Sequence, residues 1–179
     1  MKIKKIYQGE LPENKILNAQ STSQTDTYSC DYINNLSNTK SIISIVGGGE
    51  KTYTINDWVW TPVEFTYAFI NIGDGFSYSA ADHGIKVLKD MTIRVESQIC
   101  YFGTANGEIN VRVTKNTNNV IGYSNRFDTF NNGSSTVNIT GRLATVNAGD
   151  IIQLSFSGAG GTYKINQNDV LTCLTIQEL

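Results

Sequence analysis

The fold is decided by Ser135-Thr-Val-Asn-Ile-Thr-Gly-Arg-Leu-Ala-Thr-Val-Asn-Ala-Gly-Asp150, which runs directly into Ile151-Ile-Gln-Leu-Ser-Phe156. Gly149 permits the positive φ of a tight turn, and Asp150 can accept a hydrogen bond within that turn. On both sides of the turn, apolar residues alternate with polar ones, the pattern of strands with one buried face. These apolar residues are Val137, Ile139 and Leu143 before the turn and Ile152, Leu154 and Phe156 after it. The stretch predicts a strand, a turn and a second strand.

Similar alternation extends upstream and to the C-terminus, with polar turn residues between the segments. The longest predicted strand covers residues 91–102, and residues 63–70 are predicted to form one strand with Val63, Phe65, Tyr67 and Phe69 on one face. The other predicted strands of the head are 52–55, 76–79, 84–88, 109–114, 120–123 and 170–176. About eight to ten antiparallel strands with almost no proline predict an all-β jelly-roll sandwich.

The N-terminal third of the chain has a different character. Residues 20–27 (Gln-Ser-Thr-Ser-Gln-Thr-Asp-Thr) hold no apolar side chain and cannot form a core. A short helix is predicted over residues 30–37, followed by a strand at 41–46 and three glycines. We therefore expect an extended attachment arm over residues 1–50 and a jelly-roll head over residues 51–179.

Charge and hydropathy exclude several classes of function. The net charge is −2, and no basic patch is large enough to neutralise a series of phosphates, so we expect no nucleic-acid partner. No apolar run reaches the roughly 18–20 residues that span a bilayer, so we expect no membrane insertion. The first residues also lack the apolar core of a signal peptide, which predicts a chain made in a cytoplasm without a standard secretion signal.

The sequence offers little for catalysis or metal binding. Cys30, Cys100 and Cys173 are odd in number and widely spaced, so no disulfide framework or zinc knuckle is expected. Asp82-His83 is the one acid–histidine neighbour pair, and no nucleophile motif accompanies it. Asp74 and Asp82 could supply loop oxygens to calcium, but no Asp-x-Asp-x-Asp run is present. We therefore predict no enzyme activity, no cofactor and no metal.

Residues 60–179 resemble the tumour necrosis factor/complement globular-head jelly roll. The resemblance rests on Lys115-Asn116 in a strand–turn–strand unit, on Gly149-Asp150 between alternating strands, and on the apolar C-terminal segment 170–179. Residues 89–93 depart from the pattern, since they lack the usual glycine followed by an aromatic residue. The resemblance implies a homotrimer that buries its inner sheet. The residues it assigns to that interface are Tyr67, Phe69, Tyr101, Leu174 and Ile176.

Compact domains of this type are also common at the tips of bacteriophage fibres and tails. The N-terminal arm and the Asn/Thr/Ser-rich surface favour a virion protein, and residues 4–10 and 23–33 also look like small structural proteins of phages that infect Gram-positive bacteria. The expected function is non-enzymatic: a trimeric receptor-binding head in the virion that adheres to host cell-surface polysaccharide, with its arm docked on another virion protein. Two alternatives remain open, a secreted or cell-surface signalling ligand of the tumour necrosis factor/complement type and a glycan-degrading enzyme on the same scaffold.

Two sets of residues, mostly aromatic, are candidates for ligand binding. Polar loops with single aromatics suit neutral sugars, and the candidates in or beside these loops are Tyr123, Arg126, Phe130 and Tyr163. Trp58 and Trp60 alternate like strand residues, so at least one is expected to point inward, into the core or a subunit interface. The alternative is an exposed platform for a ligand.

Overall fold

A computed structural model describes residues 40–103, 107–128, 134–167 and 171–179. Residues 1–39 of the predicted arm, which include the whole predicted helix at 30–37, therefore lie outside the described residues. The described residues form thirteen strands: β1 (Ile42–Val46), β2 (Glu50–Ile55), β3 (Thr61–Pro62), β4 (Tyr67–Ile72), β5 (Phe76–Ser79), β6 (Gly84–Val87), β7 (Met91–Gly103), β8 (Gly107–Lys115), β9 (Asn119–Asp128), β10 (Ser134–Val146), β11 (Ile151–Gly158), β12 (Gly161–Asn166) and β13 (Cys173–Glu178).

The strands form two antiparallel sheets. In the first sheet, β4, β1, β13 and β7 are neighbours in that order, β10 pairs with the free edge of β7, and β12 joins β7 to β2. In the second sheet the order is β5-β6-β11-β8-β9, with the two-residue β3 added to β11. The arrangement confirms the predicted all-β jelly-roll sandwich, with thirteen strands where eight to ten were expected.

The core lies between the sheets and is made of the alternating inward side chains of both. β7 contributes Ile93, Val95, Ile99 and Tyr101, all fully buried. The opposing sheet contributes alternate residues of β8 and β11, namely Val111, Val113, Ile152, Leu154 and Phe156. At about 1.5–3 kcal/mol for each large side chain removed from water, this cluster is the main source of stability.

The strand at 41–46 belongs to the head and not to an arm. β1 lies between β13 and β4, with Ile45 opposite Leu174 on one side and Ala68 on the other. Ile43, Ile45 and Val46 are fully buried. The compact unit accordingly covers Lys40–Leu179, so the predicted boundary at residue 51 was wrong. The glycines at 47–49 form the connection from β1 to β2.

The region 63–70 is not one strand. β3 pairs with β11 in the second sheet, whereas β4 pairs with β1 in the first, so the chain crosses between sheets at residues 63–66. The crossing changes the phase of the alternation. Val63 and Phe65 are buried in the core, but Tyr67 and Phe69 face away from it, because Ala68 between them packs on the core.

The turn between β10 and β11 matches its prediction. Gly149 has φ +95°, and the Asp150 carboxylate accepts a hydrogen bond from the Asn147 amide at 2.8 Å. Asn116, in the neighbouring β8–β9 turn, donates its side-chain amide to Asp150 at 2.7 Å and accepts from the Ile151 amide at 2.9 Å. The backbone hydrogen bond from Asn147 is the main reason why the pKa of Asp150 is lowered.

Candidate functional site

Three side chains meet on the outward face of the second sheet, and we call Trp60, Arg112 and Tyr123 the aromatic–arginine cluster. The guanidinium carbon of Arg112 lies 4.2 Å from the centroid of the Trp60 ring. The rings of Trp60 and Tyr123 are arranged edge to face, with centroids 6.4 Å apart and an interplanar angle of 71°. Contacts of this kind combine cation–π attraction with aromatic packing.

Local strand geometry places each member of the cluster. Arg112 points outward because its neighbours Val111 and Val113 point into the core. Tyr123 is its direct cross-strand partner on β9, so both side chains lie on the same face. Trp60 arrives from a distant part of the sequence, since it precedes β3, which pairs with β11 beside β8.

The cluster holds a cation with incomplete hydrogen bonding. The Arg112 Nε is buried and has no hydrogen-bond partner, and within the described part of the chain no carboxylate forms an ion pair with Arg112. Burial lowers the pKa of Arg112, although an arginine side chain remains charged at neutral pH. Glu108 is an acid on the same strand, but it accepts a hydrogen bond from Asn125 at 2.5 Å.

The hydroxyl of Tyr123 is held by a hydrogen bond, while much of the side chain is exposed to solvent. Its hydroxyl is hydrogen-bonded to the Asn110 side-chain oxygen, while the residue remains 47% exposed. Burial of the hydroxyl, with a smaller effect from the negative charge of Glu108, raises the pKa of Tyr123. The ring is therefore fixed in position and still accessible to a partner.

The structure separates the predicted ligand residues that it describes. Tyr123 and Arg126 are exposed on strand β9 and not in a loop; Arg126 donates to the Thr136 carbonyl at 3.3 Å. Phe130 lies outside the described residues. Tyr163 was wrongly assigned, because it is buried in the core against Phe156 and donates its hydroxyl to the Ala159 carbonyl at 2.8 Å.

The prediction that a tryptophan points into the core was wrong, since Trp58 and Trp60 both lie outside it, while a place in a subunit interface stays a prediction. Trp58 is 49% exposed in a turn with φ 57°, and its amide donates to the Gly158 carbonyl at 2.8 Å. Trp60 is half-buried, and its contacts are with Arg112 and Tyr123. The geometry fits the alternative of a surface platform.

The residues that the resemblance assigned to a trimer interface separate into two groups. Tyr101, Leu174 and Ile176 are fully buried between the sheets, so they cannot contact another chain, and their assignment was wrong. Tyr67 and Phe69 are exposed on the outward side of β4, at one edge of the first sheet. Leu143, which was predicted to face the core, is 64% exposed on β10 near the opposite edge.

A β-bulge explains the exposure of Leu143. The pairing of β10 with β7 shifts register between Ile139 and Arg142, and Gly141 there has φ +61°. The shift reverses which side chains point inward. Ile139 before the bulge is buried, whereas Leu143 after it lies opposite Arg94 on the outward face.

The outward face of the first sheet is polar between these apolar edges. Ser44 and Thr175 share a hydrogen bond of 2.9 Å across β1 and β13. A shallow cavity of about 260 Å³ lies beside them, lined by side chains that include Glu96, Gln98, Asn138, Thr140, Cys173 and Thr175. Cys173 is a free thiol whose pKa is raised by burial, which disfavours the reactive thiolate.

The predicted weak catalytic and metal candidates remain separate groups. His83 sits in a turn with φ 49°, and Asp82 accepts a hydrogen bond from the Ser79 hydroxyl at 2.5 Å. Asp74 pairs with Lys89 at 3.0 Å. Over the described ranges, no three His, Cys, Asp or Glu side chains gather as a metal site would require, and no helix there has the length and apolarity to cross a membrane.

The two sheets form a jelly roll whose fold is similar to that of solved tumour necrosis factor ligands. Eiger TNF from S. frugiperda is similar with a TM-score of 0.60 and 11% identity, over 79% of this chain and 93% of its own. The structure of murine APRIL at pH 5.0 is similar with a TM-score of 0.60 and 13% sequence identity, over 78% of this chain and 99% of its own. The structure of murine APRIL at pH 8.5 is similar with a TM-score of 0.60 and 15% sequence identity, over 78% of this chain and 98% of its own. No protein-family model and no curated protein sequence matches the chain.

Proposed function

We propose that this chain is a non-enzymatic, homotrimeric binding protein of the tumour necrosis factor ligand type, which acts by holding a partner protein on its outer surface. The observation that carries the proposal is the fold of the two sheets, which is similar to those ligands at a TM-score of 0.60 over almost four fifths of the chain. The sequence resemblance over residues 60–179 supports the same class independently of the structure.

The distribution of exposed apolar residues supports a ring of three chains. Tyr67 and Phe69 lie on the β4 edge of the first sheet, and Leu143 lies near the β10 edge. When one edge of a subunit packs on the opposite edge of the next, the contact is heterologous, and such contacts form a closed ring when the rotation between neighbouring subunits is a whole fraction of a turn. Three such contacts bury apolar surface that a single chain leaves in water.

Light scattering tests the trimer. At micromolar concentration we expect a particle of three times the chain mass of 19.7 kDa. The double variant Phe69→Asp/Leu143→Asp should dissociate into monomers, because it places carboxylates in the proposed contact. The control is Val120→Asp, at a residue equally exposed on β9 of the second sheet, which should remain trimeric. A wild-type monomer under these conditions would refute the proposal.

The virion hypothesis of a glycan adhesin remains a prediction, as do its virion partner and its location. Tyr163, one of the residues predicted to bind glycans, is buried in the core. Binding to treated cells distinguishes the protein-binding ligand from the glycan adhesin and from the enzyme. If the chain binds a protein on the cell surface, the trimer should lose binding when those cells are treated with protease. Binding that survives protease but is abolished by removal of the surface polysaccharide favours the adhesin, and turnover of that polysaccharide favours the enzyme.

A further inference from the structure

Arg112 is the residue whose environment the proposed function leaves unexplained. It is half-buried, its Nε has no hydrogen-bond partner, and within the described ranges no acid pairs with it. A desolvated cation without a counter-ion is unfavourable, and stacking on an aromatic ring recovers only part of the loss. Such an arrangement persists most readily where the missing anion comes from a binding partner.

The stacking also orients the guanidinium. Contact with Trp60 at 4.2 Å fixes one face of its plane, and Tyr123 lies on the neighbouring strand. An arginine held in this way can offer its hydrogen-bond donors to a carboxylate in a fork, which a lysine cannot do. Arginine, tryptophan and tyrosine are also the residue types that contribute most to protein–protein binding.

We propose that the aromatic–arginine cluster of Trp60, Arg112 and Tyr123 is the docking point for an aspartate or glutamate side chain of a partner protein. The carboxylate forms charge-assisted hydrogen bonds with Arg112, and the adjoining residues of the partner pack on Tyr123. A protein is the occupant that the surroundings favour, because tryptophan, arginine and tyrosine are the residue types that dominate protein–protein contacts, and Tyr123 beside Arg112 is 47% exposed. The inference rests on the proposed function only in treating the chain as a binding protein; it does not require a trimer.

Fluorescence polarisation with defined probes tests the proposal on the full chain. The probes are a labelled peptide of alternating glycine and glutamate, the same peptide with glutamine, and an oligomer of glucuronic acid. Charge-assisted hydrogen bonds contribute about 1.5–3 kcal/mol, so the wild-type chain should prefer the glutamate peptide by about tenfold or more. The preference should weaken as salt is raised.

Three variants locate the effect. Arg112→Gln should abolish the preference for glutamate over glutamine, and Arg112→Lys, which keeps the charge, should retain a weaker preference. Lys86→Gln removes the same charge from an exposed position on the same sheet and should leave the preference unchanged. Cooperative urea unfolding of each variant confirms that it is folded. The NMR signal of the Arg112 Nε–H group should shift with the glutamate peptide and not with the glutamine peptide.

Several results would overturn the proposal. These are equal binding of the two peptides by the wild-type chain, an unchanged preference in both Arg112 variants, or an equal loss in Lys86→Gln. Glucuronate binding that matches or exceeds the glutamate peptide would assign the site to acidic sugars instead. Light scattering on the same samples separates the two proposals: a monomer with an Arg112-dependent preference refutes the trimer alone, and a trimer without the preference refutes the carboxylate site alone.

Discussion

Removal of β1 should unfold the head, although the sequence suggests that it belongs to an attachment arm. We compare chains that begin at residue 40 and at residue 51. The shorter chain lacks Ile43, Ile45 and Val46, all fully buried in the longer one. At about 1.5–3 kcal/mol for each side chain, their burial contributes roughly 5–9 kcal/mol, against about 5–15 kcal/mol for the stability of a whole domain.

Hydrogen bonding adds to this loss. β1 pairs with β13 on one side and β4 on the other, so its removal leaves two strand edges without partners. The Ser41 amide donates to Glu178 at 2.9 Å, and the Ser41 hydroxyl accepts from the Gly75 amide at 2.9 Å. We therefore expect a cooperative urea transition followed by circular dichroism for the chain that begins at residue 40, and no transition for the one that begins at residue 51.

A single substitution gives a graded version of the same test. Ile45→Ala in the full chain should lower the free energy of unfolding by about 2–5 kcal/mol, because the side chain is fully buried. Thr52→Ala, on the exposed face of β2, is the control and should change it by less than about 0.5 kcal/mol. If the chain from residue 51 unfolds with the same midpoint as the chain from residue 40, the placement of β1 in the core is refuted.

Three further predictions concern single residues. Gly141→Ala should destabilise the fold by only about 1–2 kcal/mol, because its φ is +61° but the added Cβ has room. Gly84→Ala should destabilise the fold more, because its Cβ would lie 2.6 Å from the Ile152 carbonyl oxygen, and the midpoints of urea unfolding test both variants. The pKa of Asp150 is lowered in the folded state, so its ionised form stabilises the fold above its unfolded-state pKa, and that stability is lost as pH falls through the folded-state pKa. Asp150→Asn should therefore reduce the fall in melting temperature at acid pH. An unchanged fall in this variant would contradict the assignment. In a Cys30→Ser/Cys100→Ser chain, Cys173 should react with a thiol reagent at pH 8 far more slowly than after unfolding, because burial raises its pKa. Equal rates would show that the thiol is accessible.

The local sequence predicted correctly which side chains are buried wherever the alternation of inward and outward residues is unbroken along a strand. The alternation in residues 91–102 correctly separates Ile93 and Val95 from Thr92 and Arg94. The Gly149-Asp150 turn was likewise predictable, because its chemistry is local to four residues. In both cases the sequence pattern and the backbone conformation are determined by the same short segment.

Prediction failed where tertiary structure resets the phase. The crossing between sheets at residues 63–66 and the bulge at Gly141 each reverse the inward side, which exposes Phe69 and Leu143. An alternating pattern does not indicate which face of a sheet contacts another subunit. Tyr101 and Leu174 were therefore assigned to a subunit interface, although they fill the core. The contact of Trp60 with Arg112 depends on β3 pairing with β11, and no local signal encodes that pairing.

The positions of the two exposed surfaces lead to a last prediction. Tyr67, Phe69 and Leu143 lie on the outward side of the first sheet, while the aromatic–arginine cluster lies on the outward side of the second. A trimer that buries the first surface therefore leaves three copies of the cluster facing solvent. Linked sites can raise apparent affinity by about 10²–10⁴ when the geometry allows simultaneous contact. On a surface coated with the glutamate peptide, wild-type retention should increase steeply with peptide density. The monomeric variant Phe69→Asp/Leu143→Asp should match the wild type for free peptide and show no such increase, and the same density dependence in both would refute the placement of the two surfaces.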